Sequence, residues 1–140
     1  MKLFNKRRSA KTERLLYQKL LIALGVGFAA SILVVALTSL AFEMNNMPLS
    51  MANLFSSAAL LVGSFVSGYI FARQIGEKGL KQGAICGAVY FLIFLIVSLA
   101  FGNRFGTLAV IKAVIITIAA SLGGVYGVNR KKKRIKIKNI

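Results

Sequence analysis

Charged residues are almost absent from four long stretches of this chain and abundant between them. The apolar runs cover residues 20–42, 50–72, 83–101 and about 107–128, and only the last of them contains a charge. The first run has 23 positions, which make about 34 Å of α-helix and exceed a hydrocarbon layer of ~30 Å. It is also longer than the apolar region of a secretory signal, so we expect it to be retained. The pattern predicts an all-α membrane protein with four transmembrane helices in a compact bundle.

The polar segments divide the chain into a basic N-terminal segment (1–19), a four-helix transmembrane domain (20–128) and a basic tail (129–140). The segment at 43–49 contains Pro48 and two asparagines, which favour a turn and a new helix start. Residues 73–82 form a short basic loop, and residues 102–106 form a tight turn. The isoleucines of the tail alternate with polar residues, which does not predict an amphipathic helix there.

The basic residues predict the orientation of the helices. Seven lysines and arginines precede the first run, three lie in the loop at 73–82, and seven lie in the tail. Arg104 alone lies in the two opposite loops. By the positive-inside rule, both termini and the middle loop are cytoplasmic in a multi-pass protein of the plasma membrane.

Two halves of the sequence resemble each other. The segment Ser39-Leu40-Ala41-Phe42 ends the first run and returns as 98–101 at the end of the third. Ser64, Tyr69 and Arg73 of the second run recur as Ser121, Tyr126 and Arg130 in the fourth. Two similar hairpins, entering from the same side, account for this pattern. Chance similarity between apolar segments accounts for it equally well.

Composition excludes several classes of function. The net charge is +16 with only three acidic residues, but the basic residues flank segments that are almost charge-free, and the basic tail has no interleaved aromatic residues, so nucleic acid is an improbable partner. With no histidine and a single cysteine, Cys86, the chain lacks the usual zinc ligands, and we expect no metal and no cofactor. The sequence offers no carboxylate pair and no activated serine that could carry out catalysis, so we do not expect an enzyme.

Small residues recur at a spacing of four in every apolar run. Helices in lipid associate by close packing, and small residues allow their backbones to approach. Packing within the bundle is the simplest role, and an oligomer face or a pore lining are the alternatives. The predicted packing residues are Gly25, Ala29, Gly63, Ser67, Gly68, Gly83, Gly87, Gly123 and Gly127.

Lys112 is the only charged residue within a predicted span, about five residues from its outer end. Ionisable residues inside a membrane are functional candidates, although a lysine at this depth can extend its ammonium group to the head groups. The sharper hypothesis pairs Lys112 with Glu43, which ends the first span on the same side. These two residues are the candidate functional residues.

The tail predicts contact with the anionic head groups of the cytoplasmic leaflet. Tyr69 with Arg73, and Tyr126 with Arg130, are each four residues apart and predict a belt of aromatic and basic side chains at the same boundary. The predicted lipid contacts in the tail are Arg130, Lys131, Lys132, Lys133 and Arg134.

The chain also resembles a family of small bacterial four-span membrane proteins of unknown function. The resemblance lies in Gly76-Glu77-Lys78-Gly79-Leu80 with Gly83, Gly87 and Tyr90, and in the segment 123–129, whose sequence is GGVYGVN. It covers roughly residues 20–130. It implies the four-span architecture and no catalytic or binding residue.

The sequence therefore predicts an integral membrane protein with a structural or accessory role, which packs with itself or with a larger membrane complex. A small-solute transporter or oligomeric pore is the alternative, although its usual midplane charges or broken helices are missing. A membrane tether that binds an acidic partner through the tail is a third possibility.

Overall fold

Four α-helices make up the fold in a computed structural model that describes residues 2–45, 48–100, 102 and 106–138. They are α1 (Lys2–Asn45), α2 (Ala52–Ile75), α3 (Gly79–Ala100) and α4 (Thr107–Lys138), with a 3₁₀ turn at Leu49–Met51 before α2. Each contains an apolar segment of 22 residues or more, long enough to cross a membrane. The all-helical architecture with four membrane-spanning candidates is confirmed.

The outer two helices are longer than their apolar runs. α1 begins at Lys2 and α4 ends at Lys138, so the basic segments at both ends of the chain continue the helices. The sequence pattern, which indicated no amphipathic helix in the tail, did not predict this continuation of α4. Lysine and arginine are good helix formers, and no glycine or proline interrupts the tail, so α4 has no reason to end at residue 128.

The turn between α2 and α3 is shorter than the predicted loop at 73–82. Gly76 takes a left-handed conformation (φ 84°) and donates its N–H to the carbonyl of Ala72 at 2.7 Å, which ends α2. Lys78 follows with a φ of 46°, and α3 begins at Gly79. At the opposite end of α3, the predicted turn at 102–106 lies largely outside the described residues, as does Arg104.

The bundle is unevenly packed. α2, α3 and α4 contact one another, and the contact between α2 and α4 is the most extensive. α1 lies along α2 and contacts α3 at a few positions only. Within the described part of the chain, α1 and α4 do not touch. α1 and α4 therefore flank the α2–α3 pair on opposite sides.

This layout bears on the sequence repeat. If two equivalent hairpins were related by a closed two-fold axis, contact between α2 and α3 would imply matching contact between α4 and α1. Only the first contact is present among the described residues. The arrangement as two similar hairpins, with both termini cytoplasmic, stays a prediction.

Candidate functional site

A group of polar side chains lies buried where α1, α2 and α3 meet. The hydroxyl oxygens of Ser31 on α1 and Tyr90 on α3 are 2.5 Å apart, and Tyr90 is fully buried. The Ser31 hydroxyl also lies 3.3 Å from the carbonyl oxygen of Ala59 on α2. The ring of Tyr90 stacks on Phe28 of α1 with centroids 4.6 Å apart. Tyr90 therefore joins α3 to α1 by both a hydrogen bond and an aromatic contact.

A second polar pair lies one turn away on α3. The Ser67 hydroxyl of α2 and the Cys86 thiol are 3.1 Å apart, and both residues are fully buried. Cys86 and Tyr90 are four residues apart, so they share one face of α3. Among the described residues, every buried side-chain nitrogen and oxygen atom has a hydrogen-bond partner. These buried polar groups therefore form a network in which the hydrogen-bonding side chains have partners.

Glycines make room for this network and for the helices around it. A side chain at Gly63 would collide with the Ser31 and Tyr90 hydroxyls, and one at Gly27 would come within 2.6 Å of the Cβ of Ser67. Gly63 therefore brings α1 and α2 together and also leaves the space in which Ser31 meets Tyr90.

Around α4 the glycines oppose backbone atoms. Side chains at Gly68 and Gly83 would collide with the carbonyl oxygen of Ala120. A side chain at Gly123 would collide with the carbonyl oxygen of Phe65, and a side chain at Gly127 would collide with the carbonyl oxygen of Tyr69. A Cβ at Gly87 would lie 2.8 Å from that of Ala120. These positions hold the backbones of α2, α3 and α4 in direct contact.

The residues that pack α1 against the rest of the bundle differ from the predicted ones. Gly25 has open space at its Cβ position, and both Gly25 and Ala29 are exposed on the isolated bundle. Gly27 and Ser31 form the packing stripe of α1 instead. Both pairs have a spacing of four, so spacing alone could not choose between them. The hydroxyl of Ser31 is the distinguishing signal, because a polar side chain in lipid favours the helix face that finds a partner.

Sequence reasoning also missed Gly79 and Gly124. A Cβ at Gly79 would lie 2.5 Å from the carbonyl oxygen of Gly124, and one at Gly124 would collide with that of Gly79. Gly79 begins α3, so the two glycines fix the start of α3 against α4. Their signal was the resemblance, whose motifs contain both residues.

Lys112 and Glu43 do not meet. Glu43 is exposed near the end of α1, whereas Lys112 is half-buried on α4. Because the described parts of α1 and α4 are not in contact, the proposed pair between them does not form. Lys112 lies one turn before the fully buried Ile116 and thus on the side of α4 that faces the bundle.

The predicted belt is a compact cluster. Arg73 donates a hydrogen bond to the hydroxyl of Tyr69 at 3.1 Å, and the rings of Tyr69 and Tyr126 lie 6.1 Å apart. Arg130 covers the ring of Tyr126 at 5.6 Å. Of the other predicted lipid contacts, Lys133 is exposed, and the side chains of Lys131, Lys132 and Arg134 lie outside the described part of the structure.

Two clefts open on the sides of the bundle. One of about 300 Å³ is lined at its polar edge by Glu13, Tyr17 and Gln82 and is otherwise apolar. The other, of about 390 Å³, lies between α1 and α2 and is lined by Thr38, Ser39 and Ser56 together with apolar residues. Within the described residues, no three His, Cys, Asp or Glu side chains come together as metal ligands do.

Comparison with protein families identifies the family of this chain. Residues 17–127 match the model of a family described as "Protein of unknown function (DUF3792)". The resemblance inferred from the sequence is confirmed as far as this family of unknown function, and a bacterial origin stays a prediction. Searches among curated proteins and among solved structures found no match.

Proposed function

The chain belongs to the DUF3792 family, and we propose that it is a structural or accessory membrane protein: a rigid helix bundle that packs with itself or with a larger membrane complex. The observation that supports this proposal is the direct backbone contact of α2, α3 and α4 at their glycines. Helices in such contact have little freedom to move apart, which suits a scaffold better than a carrier that alternates between two states.

The position of α1 supports the associative part of the proposal. α1 is held on one side by α2, and its opposite side presents Gly25 and Ala29 at the spacing that favours close helix approach. A second helix, from another copy of the chain or from a partner protein, fits this surface. We place both termini in the cytoplasm and the bundle in the plasma membrane, which the distribution of basic residues supports.

Association in mild detergent tests the proposal. The purified parent protein should form a defined oligomer or a complex of fixed stoichiometry with a membrane partner. The double variant Gly25→Leu with Ala29→Leu should lose that assembly, because leucine prevents close approach. Leu37→Phe, which enlarges an exposed side chain of α1 outside the face that Gly25 and Ala29 share, is the matched control and should retain it. A monomeric parent, or equal assembly of all three proteins, would contradict the proposal.

Transport of a small solute is the second candidate function. The half-buried Lys112 on the bundle side of α4 favours it, as do the hydroxyl and thiol groups buried between α1, α2 and α3. Flux into vesicles that contain the purified protein tests this candidate. Solute flux that disappears with Lys112→Met, in a variant as stable as the parent, would support transport and replace the accessory role. Absence of flux from the parent, together with a stable complex, would support the accessory role.

A further inference from the structure

Two Tyr-x-x-x-Arg motifs that lie 57 residues apart in the sequence come together at one end of the bundle. Tyr69 and Arg73 lie in the last turns of α2, and Tyr126 and Arg130 lie at the corresponding level of α4. The two helices touch here, since Gly127 packs against the carbonyl oxygen of Tyr69. The backbone contact therefore makes the two motifs neighbours, and the 6.1 Å between the tyrosine ring centroids follows from it.

The cluster concentrates positive charge. The Arg73 guanidinium lies 5.7 Å from the centre of the Tyr69 ring and donates to its hydroxyl. The Arg130 guanidinium lies 5.6 Å from the centre of the Tyr126 ring. Each arginine thus lies against one of the two neighbouring tyrosine rings. Among the described residues, no carboxylate forms an ion pair with either of them.

Two guanidinium groups on neighbouring tyrosine rings, without a carboxylate partner among the described residues, favour the binding of an anion. Guanidinium groups present planar forks of N–H donors that match the oxygens of a phosphate, and charge-assisted hydrogen bonds of this kind are strong. A tyrosine hydroxyl adds a further donor. Contact with the tyrosine rings restricts the arginine side chains, which reduces the entropy lost when an anion binds.

The depth of the cluster indicates which anion it meets. The apolar segments of α2 and α4 end at Ile75 and Arg130, so the two motifs lie where a membrane passes from hydrocarbon to head groups. Leu122 and Val125, just before Tyr126 on α4, are exposed on the isolated bundle and offer apolar surface to acyl chains. Basic pockets between transmembrane helices at this depth bind anionic lipid head groups.

We propose that Tyr69, Arg73, Tyr126 and Arg130 form a binding site for the phosphodiester head group of an anionic phospholipid. The lipid phosphate lies between the two guanidinium groups, and its acyl chains follow α4 past Val125 and Leu122. This site goes beyond the accessory role, which assigns no ligand to the bundle. It also differs from the general electrostatic attraction between the basic tail and anionic lipid, which requires no particular arrangement of the basic side chains.

Native mass spectrometry after reconstitution tests the site. The protein is incorporated into lipid discs of equal parts phosphatidylglycerol and phosphatidylethanolamine, and the phosphatidylglycerol molecules that remain bound after release are counted. The double variant Arg73→Gln with Arg130→Gln should retain about tenfold less phosphatidylglycerol, because losing charge-assisted hydrogen bonds to a phosphate weakens binding to this extent. Tyr69→Phe, which keeps the ring, should show a smaller loss of about threefold by the same reasoning.

The matched control is Arg14→Gln with Lys136→Gln, which removes the same charge from exposed positions outside the predicted lipid contacts. It should change retention less than twofold, and all variants should first show the thermal unfolding temperature of the parent. A soluble competitor, glycerophosphate, separates the sources of the phosphate: it should not displace the lipid at equal concentration. Equal losses in the two double variants, no enrichment of phosphatidylglycerol in the parent, or displacement by glycerophosphate would each overturn the proposal.

Discussion

The two flanking helices are attached to the α2–α3 pair in different ways. At α4, glycines press against carbonyl oxygens of the neighbouring helix, and the hydroxyls of Thr117 and Ser121 bond to carbonyls of α4 itself. At α1, glycine contact is combined with the hydrogen bond between Ser31 and Tyr90. One interface is therefore defined by shape alone, and the other by shape together with polar chemistry.

The difference shows how helices associate where the hydrophobic effect offers little drive. Backbone contact gains dispersion energy over many atoms and tolerates no added volume. A hydrogen bond between side chains constrains the relative orientation of the two helices, and it tolerates small changes in side-chain shape. The α4 interface should therefore respond mainly to volume, and the α1 interface to both volume and polarity.

Enlarging a glycine at the α4 interface should have the largest effect. In Gly123→Val the side chain meets the carbonyl oxygen of Phe65, and overpacking of this kind costs about 3 kcal/mol or prevents folding. Thermal unfolding in detergent, followed by size-exclusion chromatography, measures the loss. Ile118→Phe is the matched control and should unfold near the parent temperature, since it enlarges a side chain of α4 that is exposed on the isolated bundle. Equal destabilisation by the two variants would contradict the claim that the α4 interface is especially sensitive to added volume.

Gly63→Ala should have the next largest effect. The added methyl group meets the Ser31 and Tyr90 hydroxyls, so we expect a loss of about 2 kcal/mol in stability. Ser31→Gly removes the nearest obstacle and should recover part of that loss in the double variant. A double-mutant cycle measures the coupling between the two sites, and additive effects would contradict the contact.

Removing the Tyr90 hydroxyl should have a smaller effect. Tyr90→Phe keeps the stacking on Phe28 and loses only the hydrogen bond to Ser31, which in a membrane corresponds to about 0.6 to 1.7 kcal/mol. Chemical denaturation in mixed micelles measures the difference. Tyr17→Phe, at an exposed position of α1, should change nothing. A Tyr90→Phe variant as stable as the parent would mean that α1 is held by shape alone, as α4 is.

The smallest effect is expected at Gly25, and its sign is informative. Gly25→Ala adds a methyl group in open space and lowers the backbone entropy of the unfolded chain, so the free energy of unfolding should rise by about 0.5 kcal/mol. The same denaturation experiment measures it. A loss comparable to that of Gly63→Ala would place Gly25 inside the bundle and reverse the assignment of the α1 packing face.

The number of helices and the membrane environment could be predicted from the sequence because both depend on long-range composition. Four long apolar runs with a single charge among them have one physical explanation, and each corresponds to one of the described helices. The helix ends were less predictable. Gly76 ends α2 through a left-handed conformation, and the start of α3 depends on Gly79 meeting Gly124, a contact between residues far apart in the chain.

The site was harder to predict for the same reason. Gly63, Gly68, Gly83, Gly87, Gly123 and Gly127 were expected at interfaces because few other roles suit a glycine in a transmembrane helix. The helix that each glycine faces depends on the packing of the whole bundle. The same is true of whether Gly25 or Gly27 packs α1 against α2. Tyr90 gave no signal of its own, since a tyrosine inside an apolar run is typical of both a membrane surface and a core.

Cross-linking in the native membrane tests the central claim, that α4 packs on α2 and stays away from α1. In a Cys86→Ala background, cysteines replace Tyr69 and Tyr126 in one protein, and Leu21 and Tyr126 in another. A short bifunctional thiol reagent should link the α2–α4 pair in most molecules and the α1–α4 pair in few, because the described parts of α1 and α4 make no contact. Efficient linking of Leu21→Cys to Tyr126→Cys within one chain, with little linking of the first pair, would contradict this packing.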